Sequence, residues 1–273
     1  MIPKIIHYCW LSNDIIPEEL QVYVNSWKDK LSDYEFILWN FNRIDINISP
    51  WVKQAFEAKK YAFAADFIRL YAVYHYGGIY LDMDIEVIKP FDNLLDAEYM
   101  LAYEDNNTMT IEAGCFGAEK KSSIIEKCLN YYYQRKFIKQ DGTYDMLPLP
   151  QILRDVCNKY AIDIHFFSSD YFTAKCFKTG IINVTDNTYC IHHFTGSWKS
   201  DEEQKSKKQI WDLYEKYSND ELILDLIKKY ENLLDNDCYT ISLKYLYKII
   251  FKRTIKKIGT KLLSVLKSNK IVK

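Results

Sequence analysis

"GGIYLDMDIEVI", residues 77–88, places three acidic side chains in a segment that otherwise has the composition of a buried strand. The preceding segment, "AFAADFIRLYAVY", is apolar on almost every side, and the Gly-Gly pair predicts the end of this buried helix. If residues 77–88 form one strand, alternate side chains point to opposite faces, so that Tyr80, Asp82, Asp84 and Glu86 share one face. The sequence therefore predicts a cluster of carboxylates on a strand that lies against a buried helix.

Two interpretations of these carboxylates are open from the residues alone. At the edge of a sheet, a solvated acidic face would prevent aggregation with other chains. A strand beside a buried helix is instead expected in the centre of a sheet, where clustered carboxylates need a cation. Carboxylate oxygens are the ligands that Mg²⁺ and Mn²⁺ prefer. We therefore predict that Asp82 and Asp84 hold Mg²⁺ or Mn²⁺.

Strand and helix patterns alternate along the chain, which predicts an α/β sandwich with ligands at the carboxyl ends of the strands. The predicted strands are 4–10, 34–41, 77–88, 98–105, 111–118 and 162–169. The predicted helices are 18–31, one or two within 49–76, then 121–137, 149–160 and 202–235.

The cysteine content indicates a reducing environment. The seven cysteines form no CxxC or CxxxC cluster, and several lie in apolar segments, which is typical of buried free thiols. The first residues, "MIPKIIHYCWLS", have a strand pattern and no basic start before a long apolar run, so we expect no signal peptide. A cytoplasmic location follows as an expectation.

Asp66 and Arg69 are charged residues inside the predicted buried helix. They are three residues apart and so lie on one helical face. A simple ion pair between them is one interpretation. A ligand with hydroxyls and phosphates would also provide partners for both groups and offset the cost of burying them.

Three motifs, "IPKIIHYCW", "FAADFIRLYAVYHYGGIYLDMD" and "HHFTGSW", resemble the DXD-type sugar-nucleotide glycosyltransferases of family 32. This family includes capsular-polysaccharide transferases and yeast initiating mannosyltransferases. The middle motif is also similar to the catalytic domains of the large clostridial glucosylating toxins. The resemblance covers residues 1–200 and implies a Rossmann-like α/β/α fold of the GT-A type. It also implies a divalent metal, a nucleotide-sugar donor, with a UDP-sugar favoured, and retention of anomeric configuration.

The resemblance assigns roles to six residues in the first two motifs. Asp84 corresponds to a direct metal ligand, and Asp82 to a contact with the metal and the ribose or sugar. Asp66 and Arg69 correspond to contacts with the donor sugar. Tyr80 corresponds to a contact on the nucleotide side, and Trp10 to the aromatic residue that stacks on the base. An ordinary core position is the other interpretation of Trp10.

The third motif supplies the remaining site residues that the resemblance implies. Of its histidines, we select His193 as the ligand that completes the metal shell. Ser197 and Trp198 would lie on a loop that closes over the diphosphate. The chain departs from the family at Glu112, where many relatives have Asn, and at residues 145–156. The resemblance therefore does not identify the acceptor. Glu112 is either a carboxylate near the reacting centre or part of a surface salt bridge.

The C-terminal region has a different charge from the rest of the chain. Residues 238–273 contain ten basic and no acidic residues, so the net charge of −1 leaves −11 on residues 1–237. We predict a catalytic domain over 1–200 and a helical extension over 201–273 that ends in a basic amphipathic tail, 240–273. This tail either packs on the body or binds an anionic membrane at its inner face. The acidic body argues against nucleic acid as a partner.

These features predict a metal-dependent transferase that moves a hexose from a nucleotide sugar to a saccharide or lipid-linked oligosaccharide, as in capsule or O-antigen synthesis. A catalytically silent sugar- or nucleotide-binding module is one alternative. A metal-dependent nucleotidyltransferase is another, but the chain has no glycine-rich phosphate loop.

Overall fold

The computed structural model describes residues 1–12, 14–133, 135–160, 164–196, 201–235 and 246–256. The chain folds into two compact units. The first comprises Met1–Phe177 and Ile182–Lys199, and the second comprises Lys178–Ile181 and Ser200–Lys273. The functional assignment of 1–200 and 201–273 stays a prediction.

The first unit is built on a mixed five-stranded sheet and two smaller strand pairs. The strands in the described residues are β1 (Ile5–Cys9), β2 (Glu35–Trp39), β3 (Gly78–Leu81), β4 (Ile85–Val87), β5 (Tyr99–Met100), β6 (Tyr103–Asp105), β7 (Thr110–Ile111), β8 (Cys115–Ala118) and β9 (Cys190–His192). The strand order of the large sheet is β2-β1-β3-β8-β5. Strand β1 runs parallel to β2 and β3, whereas β8 is antiparallel to β3 and β5. Two further antiparallel pairs join β4 to β9 and β6 to β7.

Helices cover both faces of this sheet, which confirms the predicted α/β sandwich. The helices described in the first unit are α1 (Glu18–Lys30), α2 (Pro50–Glu57), α3 (Tyr61–Tyr76), α4 (Ser123–Tyr133) and α5 (Leu149–Tyr160), with short 3₁₀ turns at Ile46–Ile48 and Asp92–Leu94. Helices α6 (Asp201–Lys216) and α7 (Glu221–Asp235) belong to the second unit. One apolar cluster contains residues from helices α2, α3, α4 and α5 and from the side of β3 that carries Tyr80. A second cluster joins α1 with the opposite side, which carries Ile79 and Leu81. Strand β3 is therefore central and buried on both faces, as predicted.

Gly77 and Gly78 allow β3 to start directly after α3 and close to β1. Gly77 has a φ of 70°, and a Cβ there would lie 2.8 Å from the backbone nitrogen of Lys120. Gly78 has a φ of 101°, and a Cβ there would lie 2.6 Å from the carbonyl oxygen of Ile5. Both positions combine a left-handed backbone with close packing, which only glycine tolerates without strain. The glycine pair thus fixes where β3 enters the sheet.

The prediction of one strand over 77–88 is wrong, because the segment breaks at the acidic residues. Strand β3 ends at Leu81, a turn follows in which the Ile85 N–H donates to the Asp82 carbonyl oxygen at 3.0 Å, and β4 then pairs with β9. Asp84 is buried in this turn together with Met83 and Ile85, so burial does not alternate there. Asp82 and Asp84 therefore lie at the carboxyl end of the central strand, where α/β proteins commonly bind ligands.

Three other predicted strands are also corrected. Residues 98–105 and 111–118 each divide into two short strands that belong to different pairings. In the described part of 162–169, Phe167 makes an isolated bridge to Ala102 and no regular strand forms. In 98–105 and in 111–118, the first and second halves pair with different partners, so neither segment is one continuous strand.

The second unit contains α6, α7 and a helical stretch over 246–256. Leu246 and Ile250 are buried in an apolar cluster with residues of α6 and α7, whereas Phe251 and Ile255 are exposed. The rest of the tail over 240–273 lies outside the described residues, and its contact with a membrane stays a prediction. Among the described helices, none has the length and hydropathy needed to span a bilayer.

Candidate metal and sugar-nucleotide site

The candidate site is formed where β3, the loop before β8 and the segment after β9 meet. Asp82 continues the sheet by one hydrogen bond, because its N–H donates to the Gly114 carbonyl oxygen at 2.7 Å. The Ile85–His192 pairing of β4 with β9 brings His192 beside the same turn. Chain segments that are far apart in sequence are thus held together by backbone pairing.

Asp82, Asp84 and His192 form a group suited to a divalent cation. One ligand atom from each side chain lies within 4.8 Å of the others. Two carboxylates and an imidazole are a donor set that suits Mn²⁺, and the carboxylates also suit Mg²⁺. The described residues therefore fit the metal that the sequence predicts, but with His192 as the third ligand.

Asp84 is held rigidly by the segment that follows β9. Its Oδ2 accepts hydrogen bonds from the Thr195 N–H at 2.8 Å and the Thr195 hydroxyl at 3.0 Å, and its Oδ1 lies 3.4 Å from His192 Nε2. Burial alone would raise the pKa of Asp84, but the charge of His192 and these hydrogen bonds outweigh it and lower the pKa. Asp84 is therefore ionised and oriented, as a metal ligand must be.

Asp82 is held from the opposite side by Arg69 and Tyr80. The guanidinium of Arg69 lies 3.2 Å from each carboxylate oxygen, and the Tyr80 hydroxyl donates to Oδ1 at 2.8 Å. Arg69 also donates to the Ala113 carbonyl oxygen at 2.7 Å and lies over the Tyr80 ring at 4.6 Å from its centroid. Burial and the neighbouring Asp84 raise the pKa of Asp82, while Arg69 opposes this rise.

Asp66 completes this charged network from α3. Its Oδ1 lies 3.5 Å from Arg69, so the i,i+3 pair predicted from the sequence forms, although Arg69 lies closer to Asp82. Burial raises the pKa of Asp66 to about 6, against the attraction of Arg69. In addition, the Nε of Arg69 is buried and has no hydrogen-bond partner in the structure. A buried donor of this kind beside the carboxylates of Asp66 and Asp82 is typical of a binding site that is completed by a ligand.

Glu112 and His192 form a second buried pair, which supports the interpretation of Glu112 as a carboxylate near the reacting centre. Glu112 is fully buried, and its oxygens lie 3.0 and 3.1 Å from His192 Nδ1. The Thr173 hydroxyl donates to Glu112 at 2.7 Å. The surface salt bridge considered for Glu112 is thus wrong. An acidic residue inside the apolar segment 111–118 was the only sequence signal for this pair.

His193, which we predicted from the sequence to be the third metal ligand, faces away from the two aspartates. Its Nε2 lies 2.8 Å from Glu86, and its ring stacks on Tyr23 with centroids 4.6 Å apart. Only its backbone contacts the site, because its N–H donates to the Asp84 carbonyl oxygen at 3.0 Å. Consecutive residues of a strand point to opposite faces, so only one histidine of the pair reaches the metal set.

The other predicted contacts have mixed outcomes. Tyr80 is 1% exposed and supports Asp82, so its ring is not open to a nucleotide in this conformation. Trp10 lies just beyond the end of β1, partly buried, and its indole N–H donates to the Asp14 carbonyl oxygen at 2.8 Å. Its stacking on a base stays a prediction. Ser197 and Trp198 lie outside the described residues.

Gly114 is the point of closest packing in the site. A Cβ at this position would lie 2.7 Å from His192 Cε1, 2.8 Å from Asp82 Oδ2 and 2.9 Å from Glu112 Oε1. Any side chain would therefore occupy the space between the metal-binding groups and displace at least one of them. The absence of a Cβ is a requirement of the site.

We expect Gly114→Ala to weaken Mn²⁺ binding about tenfold or more, since the added methyl displaces groups that hold or orient the metal. Isothermal titration calorimetry measures this affinity. Gly117→Ala is a matched control, because the nearest atoms to its methyl are Gly78 and Ile79 atoms at 3.1 Å. The control should lose stability but retain Mn²⁺ affinity. Equal affinities for wild type and Gly114→Ala would contradict the prediction.

Comparison with known proteins identifies the region that carries this site. Residues 17–101 match the family model described as "Glycosyltransferase sugar-binding region containing DXD motif". The match includes Asp66, Arg69, Asp82 and Asp84, and it confirms the resemblance inferred from the sequence. Its span is shorter than residues 1–200, over which the motifs are distributed.

Individual relatives support the same grouping over part of the chain. Inositol phosphoceramide mannosyltransferase 3 of Schizosaccharomyces pombe is 38% identical over 98 residues, which are 34% of this chain and 27% of that protein. An uncharacterized glycosyltransferase of Acanthamoeba polyphaga mimivirus is 29% identical over 149 residues, which are 52% of this chain and 58% of the viral protein. The chain thus spans about a quarter of the fungal relative.

A solved structure titled PaToxG glycosyltransferase overlaps 58% of this chain and 70% of its own, with 19% identity and a TM-score of 0.44.

Proposed function

We propose that this chain is a metal-dependent glycosyltransferase, because residues 17–101 match the model of the DXD-containing sugar-binding region of glycosyltransferases. It moves a sugar from a nucleotide-sugar donor to a hydroxyl group of a glycan or lipid acceptor. The observation that carries the proposal is the convergence of Asp82, Asp84 and His192 at the carboxyl end of the central strand. This is the position at which α/β proteins bind nucleotides.

The residues of the site have separate tasks in this reaction. Asp82, Asp84 and His192 would hold the cation, which when bound would supply Lewis-acid stabilisation of the negative charge on the departing diphosphate. Thr195 fixes Asp84, and Arg69 with Tyr80 fixes Asp82. These contacts keep both carboxylates in place before substrate arrives, so little reorganisation is needed at the moment of reaction.

Arg69 and Asp66 are positioned to bind the donor sugar. The buried Nε of Arg69 has no partner in the structure, and a sugar hydroxyl would satisfy it. Asp66 accepts hydrogen bonds as a carboxylate and would orient a second hydroxyl. We propose retention of anomeric configuration through attack by the acceptor hydroxyl on the face that the diphosphate leaves. The hydroxyl proton then passes to the departing phosphate oxygen.

A narrower proposal concerns the identity of the donor and of the acceptor. We propose a UDP-hexose donor and a saccharide acceptor in the synthesis of a surface polysaccharide such as capsule or O-antigen. The name of the fungal relative, an inositol phosphoceramide mannosyltransferase, supports a second candidate, which is mannosyl transfer to an inositol-containing lipid. Both candidates use the same metal site and differ in donor base, sugar and acceptor.

A donor screen tests the proposal. The purified chain is incubated with UDP- and GDP-linked glucose, galactose and mannose, with and without Mn²⁺, and release of the nucleoside diphosphate is measured. We expect release from one donor class and its loss when EDTA is added. Release from GDP-mannose alone would favour the second candidate. No release or transfer with any donor, on oligosaccharide or inositol-lipid acceptors, would contradict the proposed function.

A further inference from the structure

Glu112 is a buried carboxylate whose hydrogen bonds converge on His192. Its oxygens accept from the Thr173 hydroxyl at 2.7 Å, from the Cys115 N–H at 3.2 Å and from the Gly114 N–H. They also face His192 Nδ1 at 3.0 and 3.1 Å. A buried carboxylate requires such partners to offset its desolvation. The donors from Thr173, Gly114 and Cys115 therefore fix the direction in which Glu112 meets the imidazole.

The ring of His192 is held from a second direction by Phe194. The two rings stack with centroids 4.0 Å apart and an interplanar angle of 25°. Phe194 has a φ of 53°, in the left-handed region that bulky residues rarely adopt. Such strain persists only where the surrounding structure enforces it, and it is common at functional sites. The backbone is thus bent in a way that places an aromatic face on this imidazole.

The two nitrogens of His192 have different environments. Nδ1 faces Glu112, while Nε2 lies 3.4 Å from Asp84 Oδ1, on the side of the metal-binding carboxylates. A neutral imidazole carries one N–H and one lone pair. Were a cation to displace the second proton of the imidazole, an acceptor at Nδ1 would hold the remaining N–H there and leave the Nε2 lone pair to bind that cation beside the two aspartates.

We propose that Glu112 is a positioning residue that orients His192 as a nitrogen ligand and thereby makes the site selective for Mn²⁺ over Mg²⁺. The inference rests on the proposed metal-dependent function. It extends that function, because carboxylates alone would serve Mg²⁺ equally well, whereas an oriented imidazole favours a transition metal. Glu112 acts through His192 and does not itself contact the metal.

The test compares Mn²⁺ and Mg²⁺ binding to the full chain and to the variants Glu112→Gln, His192→Asn and the double variant. Isothermal titration calorimetry gives the affinities, and pulsed electron paramagnetic resonance of bound Mn²⁺ detects coordination by an imidazole nitrogen. We expect Glu112→Gln to weaken Mn²⁺ binding about tenfold, with little change for Mg²⁺. The nitrogen signal should weaken as well. The double variant should bind Mn²⁺ no more weakly than His192→Asn.

Several results would overturn the inference. If Glu112→Gln keeps the wild-type preference for Mn²⁺, Glu112 does not position the ligand. If its effect is as large in the His192→Asn background, Glu112 acts through the scaffold and not through His192. Wild-type protein that binds neither metal would instead overturn the metal-dependent function itself. Should Glu112→Gln not fold, Glu112→Asp shortens the side chain and withdraws the carboxylate from His192, so unchanged metal preference in that variant contradicts the role.

Discussion

Replacing Asp84 with asparagine is expected to lower the rate of sugar transfer about a thousandfold or more. Asparagine retains an oxygen that can accept the Thr195 hydrogen bonds, but it removes the negative charge that holds the cation beside Asp82. A metal ion supplies several kcal/mol of stabilisation to charge that develops in the transition state, which corresponds to this loss. The rate of nucleoside diphosphate release at saturating Mn²⁺ measures the effect.

The control for Asp84→Asn must separate loss of metal from loss of fold. The exposed residue Asp186 offers a matched substitution, Asp186→Asn, which should leave transfer unchanged. Thermal unfolding with and without Mn²⁺ gives an independent readout, because a ligand that binds only the folded state raises the melting temperature. Wild type and Asp186→Asn should be stabilised by Mn²⁺, and Asp84→Asn should not. Full activity of Asp84→Asn would contradict the assigned site.

The central strand and its neighbouring helix were predictable from the sequence because their signals are local. Residues 61–76 are apolar on almost every side, and Gly77–Gly78 mark a sharp end. Asp82 and Asp84 were identified for the same reason, since they follow a short apolar run directly. What could not be predicted was the break between β3 and β4. The apolar residues Met83, Ile85 and Val87 are buried in the observed turn and strand, as they would be in a continuous strand.

Which histidine joins the candidate metal group depends on a long-range register that the sequence does not contain. His192 pairs with Ile85 in the β4–β9 ladder, and a shift by one residue would have placed His193 at the metal instead. For a related reason, the partner of Glu112 was not predicted. Its partner His192 is 80 residues away in sequence, and the contact exists only because β8 and β9 flank the same turn.

Removing the Arg69 guanidinium should cost more stability than any other single change in this network. Arg69→Met leaves the carboxylates of Asp66 and Asp82 buried without the cation that lies 3.5 and 3.2 Å from them. Breaking a buried ion pair from one side typically costs about 3–5 kcal/mol. We expect a loss of this size in the free energy of unfolding at pH 7.5, measured by urea denaturation. Arg43→Met, at an exposed arginine, should cost less than about 1 kcal/mol.

The pH dependence of Arg69→Met distinguishes lost charge compensation from lost packing. With Arg69 present, burial already raises the pKa of Asp66 to about 6, and without Arg69 the pKa should rise further. The folded variant then binds more protons than the unfolded chain above pH 4, so its stability relative to wild type must increase as the pH falls from 7.5 towards 5. Asp66→Asn combined with Arg69→Met should recover part of the loss at pH 7.5. A stability difference that is the same at both pH values would mean that Arg69 contributes by packing alone.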